Sequence, residues 1–162
     1  MANLERFPIE YIPYAQCFNV EAALEAGSPR LGGCILADGS FGSHTAGLFE
    51  PYTDQPDNYG VLYHNDAHWE KVIRDAHEND LQMAVHCIGD RAISQILKYY
   101  EKVQQENPKD LRHMLIHNEL TSDEMIRRMG ESNIVAAMQP MFDRLWGGKD
   151  GLYETVLGKE RT

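Results

Sequence analysis

Residues 82–86 read Gln-Met-Ala-Val-His, and residues 113–117 read His-Met-Leu-Ile-His. Each is a short apolar run that ends in an imidazole. His86 and His117 stand 31 residues apart, with one amphipathic helical stretch between them. A βαβ unit takes about 30 residues or more. The spacing is therefore that of two neighbouring parallel strands, each delivering a His at its C-terminal end. That end is where (β/α) proteins place their chemistry, and His is the commonest side-chain metal ligand. The pattern reads as half of a divalent metal site or as two buried, hydrogen-bonded histidines. On pattern alone the two stand even.

The segments around this pair alternate in the same way. Residues 66–78 carry Trp69, Val72, Ile73 and Ala76 on one helical face. Residues 90–105 do the same with Ile93, Ile96, Leu97 and Tyr100, with Asp90 as candidate N-cap. Upstream, Phe7 to Gln16 alternates and reads as a strand, made irregular or edge-like by two prolines. Val20 to Glu25 is a short helix, and Gly32 to Ala37 is a buried strand of the parallel type. Downstream, Thr121-x-x-Glu124 reads as a capping box, opening a helix with Met125, Ile126 and Met129 inward. Ile134 to Met138 is a further strand, and loop with short helix follows.

About five parallel strands alternate with helices, which predicts an α/β fold with right-handed crossovers. A closed (β/α)8 barrel typically takes about 250 residues. At 162 residues the chain is a single domain, either an open sheet or a partial barrel.

Composition narrows the partners. Lys and Arg total 15 against 25 Asp and Glu, a formal charge of −10. Nucleic acid and anionic membrane surfaces are disfavoured. No apolar run approaches the roughly 20 residues that span a bilayer, and no signal peptide is visible. Three cysteines, Cys17, Cys34 and Cys87, read as reduced, buried thiols of a cytoplasmic protein.

The remaining candidates divide by local pattern. Asp38-Gly39-Ser40-Phe41-Gly42-Ser43-His44-Thr45 opens a long connection to about Asn65; it is either a ligand-approaching loop or a mobile surface loop. His86-Cys87-Ile88-Gly89-Asp90-Arg91-Ala92 is a strand–turn–helix junction in which Asp90 caps the helix or orients a ligand. His64 and His68 read as a solvent-facing pair, His77 as exposed, and His113 as structural. Trp69 and Trp146 read as packing residues. There is no Gly-x-Ser-x-Gly for a serine nucleophile.

Taken in order, the segments GGCILADGSFGSHTAGLFEPY (32–52), AVHCIGDRAI (84–93), RHMLIHNEL (112–120), MQPMF (138–142) and LGKER (157–161) resemble the YtcJ-like branch of the amidohydrolase superfamily. The resemblance runs from about Leu31 to Thr162. It implies a metal-dependent (β/α)8 hydrolase, commonly with zinc, that cleaves C–N bonds of amides or formamides in small molecules. His86 then matches the fifth-strand metal ligand and His117 the sixth-strand one. Cys34 stands where the family has a Lys, and as a thiolate it is a possible third ligand. Asp38, Ser40, His44, Asp90, Arg91 and Gln139 fall in the loop and outer positions around the site.

The family's His-x-His pair is absent from these residues, and its eighth-strand Asp has no counterpart. The resemblance thus implies a central piece of a barrel lacking the first and last strands, inactive alone and prone to form homo-oligomers through open sheet edges. A self-standing small-ligand binding module is the alternative.

Overall fold

A computed structural model describes Arg6 and residues 8–162. Four strands form one sheet in the order β1-β2-β3-β4, all pairs parallel. They are β1 (Arg30–Leu36), β2 (Gln82–Cys87), β3 (Met114–His117) and β4 (Val135–Ala137). The helices are α1 (Val20–Glu25), α2 (Asp66–Glu78), α3 (Asp90–Glu106), α4 (Asp123–Glu131), α5 (Pro140–Trp146) and α6 (Leu152–Leu157). Sequential parallel strands joined by helices are the arrangement of one arc of a (β/α) barrel.

Four strands stand where about five were expected. Phe7 lies outside the described residues. Residues 8–16 are irregular, and only Ala15 pairs, in a parallel bridge to Leu31. Pro8 and Pro13 have no N–H to offer a ladder, so the alternating pattern there does not become a strand.

The helix-facing side of the sheet carries the main core. Met83, Val85, Cys87 and Leu115 pack there against Trp69, Ile73, Ile93, Ile96 and Leu97. The helical faces expected from the sequence are the buried ones: Trp69, Ile73, Ala76, Ile93, Ile96, Leu97 and Tyr100 have no exposed surface. Each fully buried Ile or Leu stabilises the fold by about 1.5–3 kcal/mol.

Two glycines shape β1. Gly32 (φ 90°) and Gly33 (φ 64°) form a bulge, so the register jumps from Leu31↔Met83 to Ile35↔Val85. A Cβ on Gly32 would lie 2.3 Å from the Ala84 carbonyl oxygen. Beyond the bulge, Ile35 turns to the helices, and Cys34 and Leu36 share the opposite, concave face with His86.

The 38–65 connection is packed rather than mobile. Phe41, Ala46, Leu48 and Tyr52 join Ile88, Val156 and Leu157 in a second core. The Arg161 guanidinium clips it, donating to the carbonyls of Leu157 (2.6 Å), Glu50 (3.2 Å) and Pro51 (2.8 Å).

Several local expectations are corrected. The α3 N-cap is Gly89, and Asp90 is the first helical residue. The α4 cap is Ser122, whose Oγ accepts from Met125 N–H at 3.2 Å; Thr121 Oγ1 donates to the Asn118 carbonyl instead. Glu124 pairs with Arg127, and Ile126 is 57% exposed. Of the three thiols, all free, only Cys87 is buried.

His77 is 1% exposed, not on an open face. Its Nε2 donates to the Asn107 carbonyl at 2.7 Å, and its Nδ1 accepts from His113 Nε2 at 2.9 Å. Met83 N–H donates to His113 Nδ1 at 3.0 Å. The backbone groups at the two ends fix both tautomers, and both rings are neutral. His113 is structural, as expected. His64 and His68 are half-buried and stacked, ring centroids 4.2 Å apart, against Phe18.

Candidate metal centre

The strand ends bring three donors together. Ligand atoms of Cys34, His86 and His117 all lie within 4.8 Å of one another. Cys34 Sγ is 4.0 Å from His86 Nδ1, and the two imidazole centroids are 4.6 Å apart in a T-shaped pair. Around a tetrahedral zinc, with bonds of about 2.0–2.3 Å, two donors sit about 3.5 Å apart. The set closes on a cation with side-chain adjustments of about 1 Å, so its residues fit a divalent metal.

Backbone geometry delivers His117. In register it pairs with Cys87, whose side chain faces the helices. His117 (φ 72°) and Asn118 (φ 55°) both adopt the left-handed conformation, which turns the chain off the ladder. Such non-glycine residues cost of order 1–3 kcal/mol each and concentrate at functional sites. Asn118 is fixed from below, its N–H donating to the Cys87 carbonyl at 2.8 Å.

The electronic state of the two rings suits a cation. Burial pushes His86 below the ordinary His range, and burial and then the neighbouring His86 do so for His117. Both are neutral at pH 7, each with one lone pair. The His86 Nε2 donates to the Gly39 carbonyl at 3.0 Å, so its lone pair is on Nδ1, the nitrogen facing Cys34. Partial desolvation raises the Cys34 thiol although the residue is exposed, so a cation must displace its proton to gain a thiolate ligand. Carboxylates flank both rings: Asp38 Oδ1 is 3.6 Å from His86 Nε2, and Glu119 Oε1 is 3.7 Å from His117 Nδ1.

The other sequence candidates separate here. Asp38 is fully buried and accepts from the N–H groups of Gly47 (2.9 Å), Ile88 (3.0 Å) and Gly89 (2.8 Å). Burial lifts its pKa to about 6 against those donors. It knots the long loop to the β2–α3 turn, directly behind His86. Ser40 lines a cavity of about 380 Å3 with His86 and His117, and Gln139 lines an adjoining one with His117.

Asp90, Arg91 and His44 stand elsewhere. Asp90 Oδ1 accepts from Phe49 and Arg91 N–H, and Arg91 N–H also donates to the Gly47 carbonyl. His44 pairs with Asp54 at 2.8 Å and packs on Tyr52. These are loop joints.

Sequence reasoning missed Glu119. It lines both cavities, its Oε2 accepts from Tyr153 Oη at 2.5 Å, and its Oε1 is buried without a partner. The available signal was a carboxylate two residues after a strand-end His. Phe41, Phe142, Trp146 and Tyr153 wall the larger cavity, with Phe142 stacked on His117.

The model of the amidohydrolase family matches residues 19–162. Over 109 residues the chain is 41% identical to the Bacillus subtilis (strain 168) protein named "Putative amidohydrolase YtcJ", covering 67% of this chain and 20% of that protein. It is 36% identical over 133 residues to protein LONG AFTER FAR-RED 3 of Arabidopsis thaliana, covering 81% and 22%. Among solved structures, an uncharacterized metal-dependent hydrolase from Pyrococcus furiosus superposes with TM-score 0.70 and 30% identity, covering 87% of this chain and 30% of that one. One from Pyrococcus horikoshii OT3 gives 0.70 and 25%, covering 87% and 29%. The chain thus spans about a fifth of the length of these curated relatives.

Proposed function

The chain belongs to the amidohydrolase family, and we propose that it supplies Cys34, His86 and His117 as ligands to a zinc ion that serves hydrolysis of a C–N bond in a small amide-type substrate. The observation that carries this reading is the convergence of one thiol and two neutral imidazoles within 4.8 Å at neighbouring strand ends. A mixed N/S donor set favours zinc over the oxygen-seeking Mg2+ or Ca2+. When bound, such a metal polarises a carbonyl and makes hydroxide available near neutral pH.

The chain's own residues hold and orient. Gly39 O fixes the His86 tautomer, and Phe41, Phe142 and Tyr153 line the cavity beside the rings. The nearby carboxylate Asp38 is tied by three N–H groups and is not free to shuttle a proton. We infer that these 162 residues bind metal without turning over amides on their own. Among the described residues no helix is long and apolar enough to cross a membrane, and three free thiols suit a reducing cytoplasm.

The test is titration with Co2+, followed by absorption. The wild type takes up one equivalent and shows a thiolate-to-cobalt charge-transfer band. Cys34→Ser loses that band but retains weaker binding. A band that persists in Cys34→Ser removes the thiol from the centre.

A further inference from the structure

Two buried polar atoms beside the centre lack partners: His117 Nδ1 and Glu119 Oε1. They are 3.7 Å apart. Buried polar atoms are almost always hydrogen-bonded, and one of this pair can donate where the other accepts. The Glu119 side chain is 11% exposed, and its other oxygen is held by the Tyr153 hydroxyl. The carboxylate is therefore anchored at one oxygen and aimed at the ring with the other.

We propose that Glu119 is the positioning residue for His117: its Oε1 accepts the Nδ1–H and thereby leaves the lone pair on Nε2, the nitrogen offered to the cation. The ring and the carboxylate close the remaining gap of about 0.5–1 Å by side-chain rotation. His86 already shows the same logic, with the Gly39 carbonyl taking one ring proton and freeing the other nitrogen. The two ligands are thus set from outside by different acceptors, one backbone and one side chain. Metal-bound histidines characteristically donate their second N–H in this way, and removing the acceptor costs about 10–100-fold in metal affinity. The metal-facing half of the inference rests on the centre proposed above. The tautomer half does not.

Gln139 is the rival acceptor, since its side chain lies within hydrogen-bond reach of the His117 ring and it lines the cavity with His117. The experiment is nitrogen-15 NMR of the histidine rings in the metal-free protein of residues 1–162. The wild type is expected to show His117 in the Nδ1–H form. Glu119→Leu is expected to shift it toward Nε2–H, whereas Glu119→Gln, which keeps a carbonyl acceptor, retains it. Gln139→Leu is expected to leave it unchanged.

Nε2–H in the wild type overturns the proposal, and so does a shift caused by Gln139→Leu rather than Glu119→Leu. If Glu119→Leu does not fold, the wild-type and Glu119→Gln spectra still decide. In parallel, Glu119→Leu should bind Co2+ about 10–100-fold more weakly. A wild type that takes up no Co2+ defeats the metal reading and leaves the tautomer result standing on its own.

Discussion

Acid should destabilise this fold through His113. The ring is 3% exposed just before β3, with Tyr100 stacked on it at 4.8 Å. Both of its nitrogens are committed: Nδ1 accepts from Met83 N–H, and Nε2 donates to His77. A second proton would have to sit on Nδ1, against the Met83 N–H. Burial, and then His77, push its pKa down to about 3 from the ordinary 6.5. The unfolded chain takes the proton below pH 6.5 and the native one does not. The contribution is therefore complete above 6.5 and is lost as the pH falls toward 3.

Each pH unit in that window is worth about 1.4 kcal/mol. At pH 4.5, two units below 6.5, the loss is about 3 kcal/mol from this ring alone. With a urea m-value of about 2 kcal/mol/M, the midpoint moves down by about 1.5 M between pH 7.5 and pH 4.5. Carboxylates also titrate in this range, so the reference is His113→Gln, which cannot protonate. The variant should be less stable at pH 7.5, yet lose about 3 kcal/mol less than the wild type on acidification. Parallel pH profiles for the two proteins would refute the reasoning.

Three further outcomes follow from the packing. Gly32→Ala forces a Cβ to within 2.3 Å of the Ala84 carbonyl at φ 90°, so it should cost at least about 2 kcal/mol, read as a lowered thermal midpoint. Arg161→Ala removes the clip on the 49–53 segment; it should cost about 1–3 kcal/mol and open that segment to limited proteolysis. Among the described residues β4 forms an edge of the parallel sheet, and an edge invites pairing, so light scattering at high concentration should report a dimer or larger, and a clean monomer would count against edge pairing.

What could be read in the sequence was periodic or local. The helical faces of 66–78 and 90–105 were legible because each buries one stripe against a sheet. The placement of His86 and His117 followed from crossover length. What failed depended on contacts between distant segments. His77 sits on a face that is otherwise polar, and only the 107–113 segment folding over α2 buries it. Ile126 obeys helical spacing, but α4 covers the sheet with Met125 and Met129 alone. The 38–65 connection looked loop-like by its glycines, while its Phe41, Leu48 and Tyr52 needed α6 to complete a core. Glu119 was passed over because its role depends on Tyr153, 34 residues away.

The central claim is that Cys34, His86 and His117 form a metal centre. Metal content measured by mass spectrometry, on protein purified without added metal, tests it most directly, beside the His86→Ala/His117→Ala double variant. The account predicts close to one equivalent of zinc or a similar divalent ion in the wild type and none in the variant. Equal metal in both, or none in either, would contradict it.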